Sequence, residues 1–152
     1  VVGLSLEPLA TFRVRLDPML RLGDTPRGDR RIVPIVGGTV EGARLRGEIL
    51  PGGADWQLVH ADGTASIDTR STVRTHDGAL LYLRTEGVRH GPPEVLERLA
   101  AGEDVDPATY YFRLFVHFET SAPAYAWLGR TLTVATARRD PSAVVYEAAT
   151  LA

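Results

Sequence analysis

Short runs that alternate apolar with polar residues, separated by turn dipeptides, dominate the chain, and a period of two is the signature of strands with one buried face. Four turns follow one another, at Glu41-Gly42, Gly52-Gly53, Asp62-Gly63 and Asp77-Gly78. Their glycines tolerate the positive φ that tight hairpins require. The turns divide this region into strands at about 31–40, 43–50, 54–61, 64–75 and 79–88, after a first strand at 9–16 that sets Phe12, Val14 and Leu16 on one face. Later strands are expected near 109–119, 130–138 and 143–149, with Asp140-Pro141-Ser142 turning the last pair. One helix, from about Pro92 to Ala101, is marked by paired prolines at its start, an apolar stripe of Val95, Leu96 and Leu99, and Gly102 beyond its end. Ala124 to Leu128 has room for a single helical turn, and Met19 to Arg31 reads as a long loop over one barrel end. The pattern predicts a mainly β chain, an antiparallel barrel of about eight to nine strands with one short helix, forming a single domain over residues 1–152.

If each turn closes a two-residue loop, counting fixes the register and assigns every side chain to a face. One face collects Pro34, Val36, Gly38, Leu45, Gly47 and Ile49, then Trp56, Leu58, Ile67, Val73, Leu80 and Tyr82, and is expected to be the interior. Arg44, Arg46, Glu48, Asp55, Gln57, Asp68, Arg70, Thr72 and Arg74 fall on the other, with Leu81 and Leu83 as its apolar exceptions. Asp55 and Arg70 come out as an outer cross-strand ion pair. A count wrong by one residue reverses this: Asp55, Arg70 and Arg113 then become the pocket and Arg84 becomes surface.

Composition narrows the functional classes. The chain has 152 residues and no cysteine, so disulfides, thiolate metal sites and a cysteine nucleophile are excluded, and a reducing cytoplasm is the expected location. A formal charge of −2 with both signs interspersed offers no basic stripe, so nucleic acid is not an expected partner. No apolar run is long enough for a membrane helix, and Val1 to Glu7 has no signal-peptide pattern. The four histidines, His60, His76, His90 and His117, are scattered, so neither a metal nor any other cofactor is expected.

The expected chemistry lies where polar groups meet the apolar face. By the count, Arg84 points inward with Tyr82 and Glu86 beside it and Ser71 opposite, and Arg84, Tyr82 and Glu86 are the candidate catalytic residues. Glu86 could equally serve only to pair the arginine, because a lone buried charge costs several kcal/mol. Trp56, Thr69 and Ser71 are candidate ligand contacts on neighbouring strands. His117 and Glu119, two further candidate ligand contacts, share a face two positions apart within acid–base reach of each other, though opposite the better core candidates Phe112, Leu114 and Phe118, and Tyr125 and Trp127 are candidate mouth-lining aromatics. Gly37-Gly38, inside a strand pattern, reads as a bulge or a small-residue site.

The runs Gly37-Gly38-Thr39-Val40-Glu41-Gly42, Leu45-x-Gly47 and Leu50-Pro51-Gly52-Gly53-Ala54-Asp55-Trp56, with Asp68-x-Arg70, Tyr111-Phe112-Arg113, Phe118-Glu119-Thr120 and Tyr125-x-Trp127-Leu128, resemble the domain of unknown function family 3237, small bacterial and fungal proteins. The resemblance covers nearly the whole chain and implies a closed antiparallel up-and-down barrel of calycin-like kind, with no general activity. It also implies that Ser71, Ala43 and Gly129 replace a usual tyrosine, proline and asparagine, the first of which would enlarge the interior. Two functions fit these readings. One is a cofactor-independent isomerase, cyclase or lyase acting on a small apolar or aromatic carbonyl metabolite, with Arg84 on the oxygen and Tyr82 and Glu86 moving protons. The alternative is a non-catalytic carrier or sensor of such a molecule. Self-association as a homodimer through Leu81 and Leu83 is a further expectation.

Overall fold

The computed structural model describes residues 3–152. Its strands are β1 (Leu6–Leu16), β2 (Leu20–Thr25), β3 (Gly28–Glu41), β4 (Gly47–Ile49), β5 (Gly53–Val59), β6 (Ala65–Thr75), β7 (Leu80–His90), β8 (Tyr111–Glu119), β9 (Thr133–Asp140) and β10 (Ala143–Leu151), with helix α1 (Pro93–Ala100) between β7 and β8. Ten strands fill eight places in a closed antiparallel barrel. The saving arises at β3, which pairs with β1 and β2 in succession along one edge and with β4 and β5 along the other. Closure comes from β1, which pairs with β10 on one side and β3 on the other.

The segment expected to be a long loop contains β2. Leu20 and Leu22 are both exposed, so this strand buries no apolar face and leaves no hydrophobic signature. Backbone pairing to β3 and the Arg21 to Asp29 ion pair at 3.1 Å hold it instead. In β3 the pairing with β1 slips by one between Gly37 and Ile35, a bulge where the double glycine suggested one. Val33 and Ile35 therefore point inward before it and Val40 after it, and Val36 is exposed. A side chain at Gly38 would collide with the Arg13 carbonyl across the β1 seam, so the glycine permits close backbone approach and opens no cavity.

All four turns depart from the two-residue expectation. The first, at Glu41-Gly42, is a longer connection over residues 41–46 that sets Val40 opposite Gly47 and leaves the phase unchanged; each of the other three moves side chains between faces. Leu50-Pro51-Gly52 is no hairpin: β4 and β5 run on in one direction along both β3 and β6. Alternation passes through the kink, so Ile49, Asp55 and Gln57 all face inward and Trp56 faces out. The Asp-Gly turns close three-residue loops, Ala61-Asp62-Gly63 and His76-Asp77-Gly78, bracketed by hydrogen bonds between residues 60 and 64 and between 75 and 79. Gly63 and Gly78 take φ of +87° and +89°, the left-handed position that such loops require. The first extra residue restores the expected phase of β6, where Ile67, Ser71 and Val73 are buried. The second reverses β7. Leu81, Leu83 and Thr85 lie inside, while Leu80, Tyr82, Arg84 and Glu86 lie outside. Homodimer formation through Leu81 and Leu83 thus loses its basis, since both are core residues.

Phe12 stacks on Tyr146 at 4.6 Å and lies 6.4 Å from Phe118, filling the lumen on the side where a 3-10 segment, Pro123–Arg130, packs on β8. Burying each such large side chain is worth about 1.5–3 kcal/mol. Toward the α1 end, beyond the Ala137–Tyr146 pair, β9 and β10 present Arg139 and Val144, and the apolar core gives way to a cavity.

Candidate active site

The expected catalytic trio does come together, on the outer wall. Arg84, with 38% of its side chain exposed, donates to Glu86 Oε2 at 3.2 Å and lies 3.6 Å from Asp68. The His117 ring nitrogen is 3.0 Å from Glu86 Oε1, and Tyr82 and Glu119 sit opposite each other beside it, both exposed. This is a solvated cross-strand charge network, whose pairs are worth about 0–1 kcal/mol each. Trp56 is also outside, under the Arg70 guanidinium at 5.8 Å. Asp55 faces Thr69 and not Arg70, so the expected outer ion pair does not form. Tyr125 is buried and its hydroxyl donates to Asp77 Oδ1 at 2.7 Å, tying the 3-10 segment to the β6–β7 loop, while Trp127 packs under Arg44. Neither lines a mouth. Of the ten candidates, Thr69 and Ser71 border the interior cavity.

That cavity is narrow, about 40 Å³. Its walls are apolar, from Val14 and Leu16 of β1, Val33 and Ile35 of β3 and Phe112 and Leu114 of β8. Into it project Asp55 and Gln57 of β5, Thr85 and Arg89 of β7, Arg139 of β9 and Tyr146 of β10. Asp55 and Gln57 are 8% and 5% exposed. Asp55 Oδ1 accepts the Asp68 backbone N–H at 3.1 Å, and Oδ2 accepts Gln57 Nε2 at 3.1 Å. Gln57 Oε1 in turn accepts Arg89 NH2 at 3.4 Å. The carboxyl and the guanidinium are thus joined through an amide, with no direct ion pair between them. Arg89 lies 5.5 Å above the Phe112 ring, and its Nε is shut off from solvent with no acceptor. Thr69 and Thr85 hydroxyls meet at 2.5 Å on the adjoining wall.

Burial dominates the electrostatics. It pushes the Asp55 carboxyl above its ordinary range, against the two hydrogen bonds it accepts. It pulls the Arg89 guanidinium down to about 10, helped by repulsion from Arg139 and Arg31. Arg139 is lowered too, and the Tyr146 phenol is raised, both by burial. A protonatable acid and an unpaired cation in one apolar chamber are the elements of proton transfer next to a developing oxyanion. Among the described residues no group of three His, Asp or Glu side chains could hold a metal, and no helix is long and apolar enough to cross a membrane. Sequence reading missed Gln57, Arg89, Arg139 and Tyr146 as site residues; the signal lay in the inward parity of Asp55-x-Gln57 once alternation is carried through Leu50-Pro51-Gly52, and of Thr85-x-Gly87-x-Arg89 once His76-Asp77-Gly78 is counted as a three-residue loop.

Comparison with known proteins agrees with this architecture. A UPF0311 protein of Rhodopseudomonas palustris is 39% identical over 137 residues, 90% of each chain. A crystal structure of a β-barrel-like protein from Acinetobacter baumannii is 52% identical and superposes with a TM-score of 0.88 over 100% of this chain and 98% of that one. An enzyme from Penicillium herquei, 18% identical, matches with a TM-score of 0.71 over 97% and 96% of the two chains, and so shares the fold. The model of the family described as "Protein of unknown function (DUF3237)" matches residues 4–151, and the chain belongs to that family.

Proposed function

We propose that the barrel interior is the site of a cofactor-independent acid–base reaction, of isomerase, cyclase or lyase type, on a small carbonyl-bearing metabolite. The observation that carries this reading is the buried Asp55 carboxyl, raised by burial, joined through Gln57 to Arg89. In this scheme the Asp55 carboxylate takes a proton from the carbon next to the carbonyl. The C–H electron pair forms the enolate, whose oxygen rests on the Arg89 guanidinium, and the proton returns from Asp55 to the same or another carbon. By excluding water, the apolar walls strengthen the attraction between the enolate oxygen and the guanidinium. The Penicillium enzyme is an instance of this fold in catalysis, though fold alone does not transfer chemistry.

The test is exchange of α-protons. Simple cyclic ketones are incubated with the protein in heavy water and loss of the α-proton NMR signal is timed. Wild type accelerates exchange, and Asp55→Asn and Arg89→Met, each checked for folding, lose at least about 100-fold of that acceleration. Full exchange in both folded variants overturns the roles of Asp55 and Arg89. The narrowness of the cavity favours a second reading, a binder that holds one small molecule unchanged. Saturable binding with no exchange and no product supports that reading.

A further inference from the structure

The interior cavity does not end at Arg89. Gln57, Val33, Arg89 and Arg139 also border a second space of about 50 Å³ at the α1 end of the barrel, roofed by Met19, Leu99 and Ala100. Arg31 forms its remaining polar wall. Three guanidiniums therefore meet over one opening.

Their charge is not balanced. Arg31 is engaged by Asp29 at 3.0 Å, and Asp29 is also held by Arg21. Asp140, the carboxylate next to Arg139 in sequence, is paired with Arg13 at 3.0 Å and lies 3.8 Å from Arg138. Among the described residues neither Arg89 nor Arg139 forms an ion pair, and Asp55, the one carboxyl on the interior side, answers Arg89 only through Gln57. Arg89 Nε faces no acceptor. A buried donor and two cations that lack an ion-pair partner carry a penalty that an incoming anion reduces.

We infer that this mouth is a carboxylate-binding subsite, in which Arg89 and Arg139 clamp the carboxylate of the molecule whose carbonyl part enters the apolar chamber below. The planar fork of a guanidinium matches two carboxylate oxygens, and a space of this size suits one such group. The inference rests on the proposed function for the premise that the interior receives a small molecule, and it names that molecule's class: a short carboxylic acid with a carbonyl near its head. The same contact offsets the desolvation that lowers both guanidiniums.

Propionate, its neutral isostere propionamide, and inorganic phosphate are the probes, read by calorimetry and by the arginine Nε resonances in NMR. Propionate should bind saturably and shift the Arg89 and Arg139 signals, propionamide should bind at least about tenfold more weakly, and Arg89→Met and Arg139→Met should each lose about tenfold or more. Arg89→Lys guards against misfolding of the methionine variant, and should keep part of the affinity by retaining charge without the fork. Asp55→Asn, which removes the nearest negative charge, should hold propionate as well as wild type or more tightly. Equal binding of propionamide, undiminished binding in both folded methionine variants, or phosphate binding as tightly as propionate would each overturn the carboxylate subsite. Arginine-dependent propionate binding without α-proton exchange leaves the subsite standing and removes the catalytic reading; exchange of neutral ketones without propionate binding does the reverse.

Discussion

Asp55 shows how one residue records its surroundings. Burial raises its carboxyl above the ordinary value near 3.8, so the folded protein holds that proton more tightly than the unfolded chain does. Below the unfolded-state value both states are protonated and the group is neutral to stability. As pH rises past it the unfolded chain releases its proton first, and folding loses stability until the folded-state value is also passed, beyond which the loss is constant. Asp55→Asn carries no such dependence. The melting temperature of the variant relative to wild type should therefore climb as pH rises above the ordinary carboxyl value and then level off, and a flat or falling difference would show that the carboxyl is not strained by burial. Arg89 is the complementary case, a half-buried cation over Phe112 whose Nε is shut off from solvent and unused.

At the level of the strand, β7 is where sequence and structure part and where the reason can be stated. The existence of nearly every strand, the place of α1 and the bulge at Gly37 were legible, because alternation, turn glycines and paired prolines each report local backbone geometry. Loop length was not, since Asp-Gly serves both two- and three-residue hairpins, and one additional residue exchanges the two faces of all that follows. Two such loops, and a kink at Leu50-Pro51-Gly52 that resembles a turn, explain why Ser71 was placed correctly and Arg84 and Trp56 were not. The phase of β7 can be checked directly. Leu83→Ala, at a position 1% exposed, should cost about 2–5 kcal/mol, while Tyr82→Ala, on the outer wall, should stay within about 1 kcal/mol. Denaturant midpoints that rank the two in the opposite order would restore the two-residue count.

Over the whole molecule the two ends of the barrel differ in kind. One is filled by Phe12, Tyr146 and Phe118 and fastened by the Tyr125 to Asp77 hydrogen bond; the other is lined by arginines and roofed by α1 and Met19. The second shares its polar lining with the interior cavity, which agrees with chemistry concentrated near Arg89.

The double pairing of β1 has a mechanical consequence. Peeling that strand away tears two seams simultaneously, against β10 and against β3, and turns a tube into a sheet with two bare margins. No half-detached form has anything to recommend it, so heating should melt the tube in a single step. Far-ultraviolet and near-ultraviolet circular dichroism, which follow backbone and aromatic packing separately, should trace superimposable transitions; a backbone signal that outlives the aromatic one would mean that the seams part independently.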